Sequence, residues 1–305
     1  MRIGIFTGDI GDGTVDDYVA AARLANEQGF DSYWVSQIFS YEALALLAVI
    51  GREVPDISLG TAVVPTYPRH PMTLAAEALT AQAASGGRIQ LGIGLSHQIV
   101  IEGMWGYSFD KPARHMKEYL AALMPMLRGE PVSYEGETLT SRGQLVIPGS
   151  SAPPVLLAAL APRMLELAGS VADGTITWCT GPATLESHIV PAITQAAERA
   201  GKPAPRIVAG LPVCVTEDRD AALERIRNAL AIYPSLPSYR AMLDKEGVDG
   251  PADIALVGSE DDVLKGIDRV ANAGATVFAA SEMGGSAEEK ERTRRVLAGA
   301  AAASR

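Results

Sequence analysis

Cysteine is scarce in this chain: Cys179 and Cys214 are the two among 305 residues, and they form no Cys-x-x-Cys. That argues against a disulfide framework and a thiolate zinc site. Histidine is almost as sparse. The four, at positions 70, 97, 115 and 188, include no His-x-His or His-x-x-x-His pair, so no metal site is expected. A basic surplus is missing too. There are 26 lysines and arginines against 36 acids, a formal net charge of −10, and no basic cluster stands out, which disfavours a nucleic-acid partner. The longest apolar run, residues 43–51, is far short of the ~20 residues that span a bilayer. Between Met1-Arg2 and Thr7-Gly8-Asp9 there is too little apolar sequence for a signal-peptide core. The cytoplasm is the expected compartment, and no membrane association is expected.

Two familiar glycine motifs are each one residue short. Gly92-Ile93-Gly94 begins like a dinucleotide fingerprint, but His97 stands where the third glycine belongs. Gly94-Leu95-Ser96-His97-Gln98 approaches the nucleophile elbow of hydrolases, but ends on Gln98 instead of glycine. No catalytic pair of carboxylates stands out.

What is present is an ordinary globular composition, 48% hydrophobic and 20% charged. The length suits one large α/β barrel or two ordinary domains. Buried strands are expected at 2–7, 32–35, 57–64, 88–91, 155–158, 174–178, 206–215 and 276–280. Most are followed by a helix. Thr14 is the expected N-cap of the first helix, with Asp16 and Asp17 in its first turn and Tyr18, Val19, Ala22, Leu24 and Ala25 on its apolar face. Further helices are expected at about 41–52, 71–85, 113–128, 162–171, 182–201, 217–233, 260–273 and 288–302. Strands alternating with helices mean parallel pairing with right-handed crossovers. Eight such units predict a TIM (β/α)8 barrel, one domain over residues 1–305. Residues 131–148 change period and read as an extended insertion outside the barrel. An open doubly wound sheet is the competing fold, but residues 8–13 lack the phosphate-fingerprint spacing it needs.

The organising stretch is 85–98: a glycine turn at Gly86-Gly87, a short strand at 88–91, and a second glycine opening at Gly92 and Gly94, followed by Ser96, His97 and Gln98. Polar side chains at the end of a buried barrel strand point to a pocket, and glycines let a ligand approach the backbone. The bland reading is that Gly92 and Gly94 only permit strand packing. Other strand ends present Thr7, Gly8 and Asp9; Ser36 and Gln37; Ala62 and Val63; residues 158–162; and Trp178 with Cys179. Such a pocket of small, mostly uncharged groups suits a flat aromatic cofactor that brings its own reactivity. Trp178 and Cys179 read equally well as barrel core. Arg69-His70-Pro71 reads as structural. Arg114 and His115 read as helix surface or as reaching a cofactor tail.

Four motifs in order carry a resemblance. Gly29-Phe30-Asp31-Ser32-Tyr33-Trp34-Val35-Ser36, Gly60-Thr61-Ala62-Val63-Val64-Pro65 with Arg69-His70-Pro71, Ser85-Gly86-Gly87-Arg88 with Leu91-Gly92-Ile93-Gly94, and Ala168-Gly169 with Ala172-Asp173-Gly174 are similar to the luciferase-like superfamily. Within it the chain resembles the coenzyme F420-dependent oxidoreductases. The resemblance implies hydride transfer between the deazaflavin and a small organic substrate, and a homodimer as the working assembly. It implies a non-prolyl cis peptide at Ala62-Val63 behind the ring, cofactor contacts from Ser36, Gln37, Ser96, Gln98, Ala159, Trp178 and Cys179, and phosphate held by backbone amides at Leu160 and Ala161. The sugar-phosphate-oxidising members carry Asp-His where this chain has Gln37-Ile38, so reduction of an electron-poor C=C or C=N bond is the expected direction. His97 is the first candidate proton donor and Glu102 the second. Loops 40–41, 103–111 and 234–251 are expected to build the substrate side. An FMN-dependent monooxygenase and a non-catalytic flavin-binding relative remain the alternatives.

Overall fold

The computed structural model describes residues 1–8 and 13–304. Eight parallel strands close into a barrel: β1 (Arg2–Thr7), β2 (Ser32–Val35), β3 (Ser58–Thr61), β5 (Ile89–Gly94), β8 (Val155–Leu157), β9 (Gly174–Trp178), β10 (Arg206–Val215) and β12 (Val277–Glu282). The ring closes because β10 pairs with both β9 and β12. The open doubly wound sheet is thereby excluded. Two short strands attach to this ring. β4 (Val64–Pro65) pairs with the upper end of β5, and β11 (Leu256–Gly258) pairs with the upper half of β10. Residues Val132–Glu135 (β6) and Thr140–Gly143 (β7) form a separate antiparallel pair.

Helices surround the barrel, most of them on its outside and some at its mouth. They are α1 (Val15–Glu27), α2 (Ala43–Glu53), α3 (Pro71–Ala84), α4 (Gln98–Gly103), α5 (Pro112–Leu127), α6 (Pro162–Ser170), α7 (Pro182–Thr184), α8 (Val190–Arg199), α9 (Arg219–Ala229), α10 (Pro237–Glu246), α11 (Glu260–Asn272) and α12 (Ala287–Ala303). The start of α1 follows from its sequence. Thr14 Oγ1 accepts from Asp17 N while Asp17 accepts from Thr14 N, a capping box worth about 1 kcal/mol. Tyr18, Val19, Ala22 and Ala25 are buried as the periodicity requires, but Leu24 lies 46% exposed; it is two positions from Ala22, off the buried stripe. The single long helix expected over 182–201 is α7 and α8 joined by a π-helical turn at Leu185–Ile189. The helix α4 and the strand β11 were not expected.

Side-chain alternation along the strands makes two cores. Ile3, Ile5, Tyr33 and Val35 join the large outer cluster beneath the helices. Trp34, Leu156, Ile176, Val208, Val277 and Ala279 form a second cluster that fills the barrel, with Phe6, Ala62 and Val63 packed on it. The largest member, Trp34, is fully buried and donates from Nε1 to Ser32 Oγ at 2.9 Å. Gly60 on the neighbouring strand makes room for it, since a Cβ there would overlap the indole ring.

Candidate functional site

The barrel mouth opens into a cleft of about 2890 Å³ at the carboxyl ends of the strands, the end at which barrel chemistry is built. Its back wall comes from an interruption. β3 ends at Thr61, the Ala62-Val63 peptide is cis, and pairing with β5 resumes at Val64. Thr61 Oγ1 bridges the gap, donating to Gly92 O at 2.7 Å and accepting from Gly92 N at 2.8 Å. The resulting bulge pushes Ala62 and Val63 into the cleft.

That bulge corrects the reading of the glycines. β5 runs on to Gly94, so Gly92 and Gly94 lie within the strand. A Cβ on Gly92 would overlap the Thr61 carbonyl oxygen, and one on Gly94 would meet Val63 Cγ2 at 2.8 Å and Ala158 Cβ at 3.1 Å. The glycines therefore accommodate the bulge, and the bulge shapes the pocket. Gly86 and Gly87 do form the turn, with φ of +66° and +90°.

Ser36, Gln37, Ser96, His97, Gln98, Glu102, Leu160, Ala161 and Trp178 all line the cleft. Ser36 Oγ is buried without a hydrogen-bond partner among the described residues, so a ligand that pairs with it removes a standing cost. Gln37 is partly committed elsewhere, its Oε1 accepting from Ala43 N at the start of α2. Ser96, with φ +61°, turns the chain out of β5. His97 precedes α4 without capping it through its side chain. Burial pushes its imidazole pKa below 6.5. Gln98 and Glu102 face each other across one turn, with Gln98 Nε2 donating to Glu102 Oε2 at 2.9 Å; Glu102 Oε1 accepts from Phe109 N at 3.1 Å. Glu102 thus spends one oxygen on Gln98 within α4 and the other on the segment after it.

Two expected contacts turn away from the cleft surface. Cys179 is buried in the outer core with φ +49°, and burial pushes its thiol pKa well up. Ala159 is fully buried in the same core, its carbonyl within 3.5 Å of Thr175 Oγ1. At both strand ends the neighbours Trp178 and Ala158 take the cleft positions instead, as side-chain alternation requires. Asp9 lies outside the described residues.

The Arg69-His70-Pro71 motif is structural. Arg69 pairs with Glu42 at 3.2 Å and Glu77 at 3.3 Å, and His70 caps α3 through Nδ1 while Nε2 reaches Thr140 O. His115 stacks on Tyr67 at 4.1 Å and 10°, beside Thr66 Oγ1 at 3.2 Å. Burial lowers its pKa to about 4. Arg114 lines the cleft and pairs with Glu137 at 3.1 Å.

The residues present fit a flat ring system. An apolar bulge stands behind, an unpartnered hydroxyl lies at the side, and the N-terminus of α6 at Ala161 has no side-chain cap, with Arg163 beside it in the cleft lining. Strand-end residues that the sequence reading passed over also line the site, Phe6 and Ser281 among them, with Tyr233 and Tyr239 from the region after α9. An uncharged run at 230–239 was the available signal for the tyrosines; Phe6 looked like plain strand core.

Fold and site together define a TIM-barrel protein with a large cleft at the mouth of its barrel. The chain belongs to the luciferase-like monooxygenase family, whose model matches residues 1–277. A 5,10-methylenetetrahydromethanopterin reductase from Methanolobus tindarius is 30% identical over 239 residues, covering 78% of this chain and 72% of the relative. A coenzyme F420-dependent tetrahydromethanopterin reductase from Methanopyrus kandleri superposes with a TM-score of 0.81 at 22% identity, covering 97% of each chain. The oxygenating constituent of 3,6-diketocamphane monooxygenase from Pseudomonas putida, in complex with FMN, superposes with a TM-score of 0.78 at 18% identity, covering 98% of this chain and 96% of that one.

Proposed function

We propose that this chain is a coenzyme F420-dependent oxidoreductase that reduces an electron-poor C=C or C=N bond of a small organic substrate. The observation that supports it most is the pairing of the Ala62-Val63 bulge with the unpartnered Ser36 hydroxyl, a flat apolar wall with a hydrogen-bonding group at its side. The 30%-identical relative is itself a reductase. In this reading Ala62 and Val63 back the ring, Ser36 hydrogen-bonds its edge, and Trp178 closes the side. Backbone at Leu160 and Ala161, with the uncapped end of α6 and Arg163, receives the anionic end of the cofactor. Ser96, Gln37 and Gln98 complete the polar lining.

When bound, the reduced deazaflavin supplies the hydride, so the protein's tasks are orientation and proton delivery. His97 would deliver a proton from its imidazolium to the substrate atom that does not take the hydride. The two transfers together add two hydrogens across the double bond. Position 38 is isoleucine and Gln37 is tied to α2, which supports reduction over alcohol oxidation in this reading. The working assembly is a homodimer, to be checked by light scattering.

The experiment is a titration of the purified chain with F420 and, separately, FMN, followed by absorbance and fluorescence. F420 is expected to bind stoichiometrically and FMN weakly. Stoichiometric FMN with no detectable F420 binding would overturn the reading in favour of the flavin monooxygenase, a chemistry carried by the P. putida neighbour on the same fold.

A further inference from the structure

Five rings run in series along the side of the cleft formed by β1, β9 and the connection between α9 and α10. Phe6 meets Trp178 at 5.0 Å and 57°, and Trp178 meets Tyr233 at 6.5 Å and 67°. Tyr233 meets Tyr239 at 4.7 Å and 90°, and Tyr239 meets His97 at 5.8 Å and 53°. Every pair is tilted or edge-on, and every ring still contributes surface to the cleft. Tilted rings present faces and edges of opposite partial charge to a further ring, which is the arrangement aromatic contacts favour.

The connection that supplies the two tyrosines is Leu-Ala-Ile-Tyr-Pro-Ser-Leu-Pro-Ser-Tyr, residues 230–239, ten positions without a charge in a chain that is 20% charged. Pro234 and Pro237 stand in the first turns of the 3-10 turn Tyr233–Ser235 and of α10. Each proline fixes φ, so the wall is ordered before a ligand arrives. Leu230 and Leu236, buried, line the cleft with the two tyrosines. Arg240, the first charge after the run, turns away to Asp244 and to the carbonyls of Val248 and Asp249. Four cationic side chains of the cleft sit elsewhere, at the start of α5 (Lys111, Arg114, Lys117) and at Arg163 on α6; the fifth, Arg294 on α12, is paired with Glu282 of β12 beside β1.

We propose that this wall determines the substrate: an uncharged molecule whose reducible bond is conjugated to a planar aromatic ring, with that ring seated on Tyr233 and Tyr239. The inference deepens the reductase reading, but the recognition step is independent of it, because the wall is made by the protein alone. A saturated ring of the same size fills the space without the face-and-edge complementarity, and an anionic substrate meets no cation on β9 or the α9–α10 connection, the arginine beside β1, Arg294, being paired with Glu282.

Two α,β-unsaturated ketones that differ only in carrying a phenyl or a cyclohexyl ring test this: benzylideneacetone and its cyclohexyl counterpart. Calorimetric titration of the full chain without cofactor is expected to show the phenyl ketone binding about fivefold tighter. Tyr239→Leu and Tyr233→Leu are each expected to shrink that ratio, and the double variant to erase it, while Tyr239→Phe keeps it. Equal affinities in the unmodified chain, no binding of either ketone, or a ratio unchanged in both single variants would each overturn the proposal. The single variants decide the matter should the double variant not fold. If F420 fails to bind but the phenyl preference stands, the reductase reading has failed and the aromatic wall has not. With F420 bound, kcat/KM for the two ketones is expected to differ by the same factor.

Discussion

The two banks of the cleft are built on opposite principles. On the β1, β9 and α9–α10 side the lining is aromatic, Phe6, Trp178, Tyr233 and Tyr239, and the charges next to β1, Arg294 of α12 and Glu282 of β12, pair with each other. Burial there pushes the Tyr233 hydroxyl up to about 12 and that of Tyr239 well above its ordinary value, so both stay neutral. On the α5 and α6 side, Lys111, Arg114, Lys117 and Arg163 line the cleft, with Glu137 pairing two of them. A chain with a net charge of −10 thus keeps four of the five cations of its cleft on one bank and an aromatic face on the other. The division lets one cleft take a ligand with an anionic end and a second ligand without charge, each by its own physics. Between the banks stands the Ala62-Val63 bulge.

The most disruptive way to break this arrangement is to fill the space behind the bulge. Gly92→Val sets side-chain carbon against the Thr61 carbonyl and is expected to cost about 3 kcal/mol or more, read as a lower urea midpoint, with loss of ligand binding on both banks. A stable Gly92→Val protein with normal binding would show that the bulge does not need the glycine.

His97 sits where the banks meet. His97→Ala is expected to lower turnover about 100-fold while F420 affinity stays within about twofold. Because burial depresses the imidazole pKa below 6.5 and the protonated form is the acid, the rate should fall as pH rises through that lowered value. The alanine variant should lose this limb. Unchanged turnover and pH profile would remove His97 from the chemistry, and weaker F420 binding with normal turnover at saturation would make it a binding residue.

A stability counterpart comes from His115, which the fold holds neutral down to about pH 4 against an ordinary 6.5. The unfolded chain takes up that proton first, so between pH 6.5 and 4 stability should fall as pH falls, by up to about 3 kcal/mol. His115→Phe keeps the stack on Tyr67 and should flatten urea midpoints measured across that window. An equally steep dependence in the variant would assign the acid sensitivity to other groups.

Charge on the cationic bank is expected to matter less, and only for the cofactor. Arg163→Glu should weaken F420 about tenfold and reduce the salt dependence of its binding, while leaving the affinity for uncharged phenyl ketones unaltered. Equal effects on both ligands would erase the distinction between the banks. The smallest effect should come from Cys179→Ala. Its buried thiol is off the cleft surface, so a stability loss of about 1 kcal/mol with unchanged F420 titration is expected.

Much of the barrel was legible in the sequence because its signals are local. Buried apolar runs, the Thr14 cap and the glycine turn at 86–87 act within a few residues, so eight strands and most of the helices follow from reading along the chain. The polar residues at strand ends were legible for the same reason, since the end of a run marks the mouth of the barrel. Other features needed tertiary structure because they depend on what stands opposite. Gly92 and Gly94 belong to the strand once Thr61 and Val63 are placed against them. Cys179 and Ala159 turn to the core because alternation gives the cleft to Trp178 and Ala158. Glu102 is a brace once Gln98 and the Phe109 amide reach it. Tyr233 and Tyr239, more than fifty residues beyond Trp178 in sequence, join its aromatic series only because α9 and α10 return the chain across the barrel mouth. Local composition and periodicity therefore determined the elements and their order, and the closing of the barrel decided which side chains share the cleft.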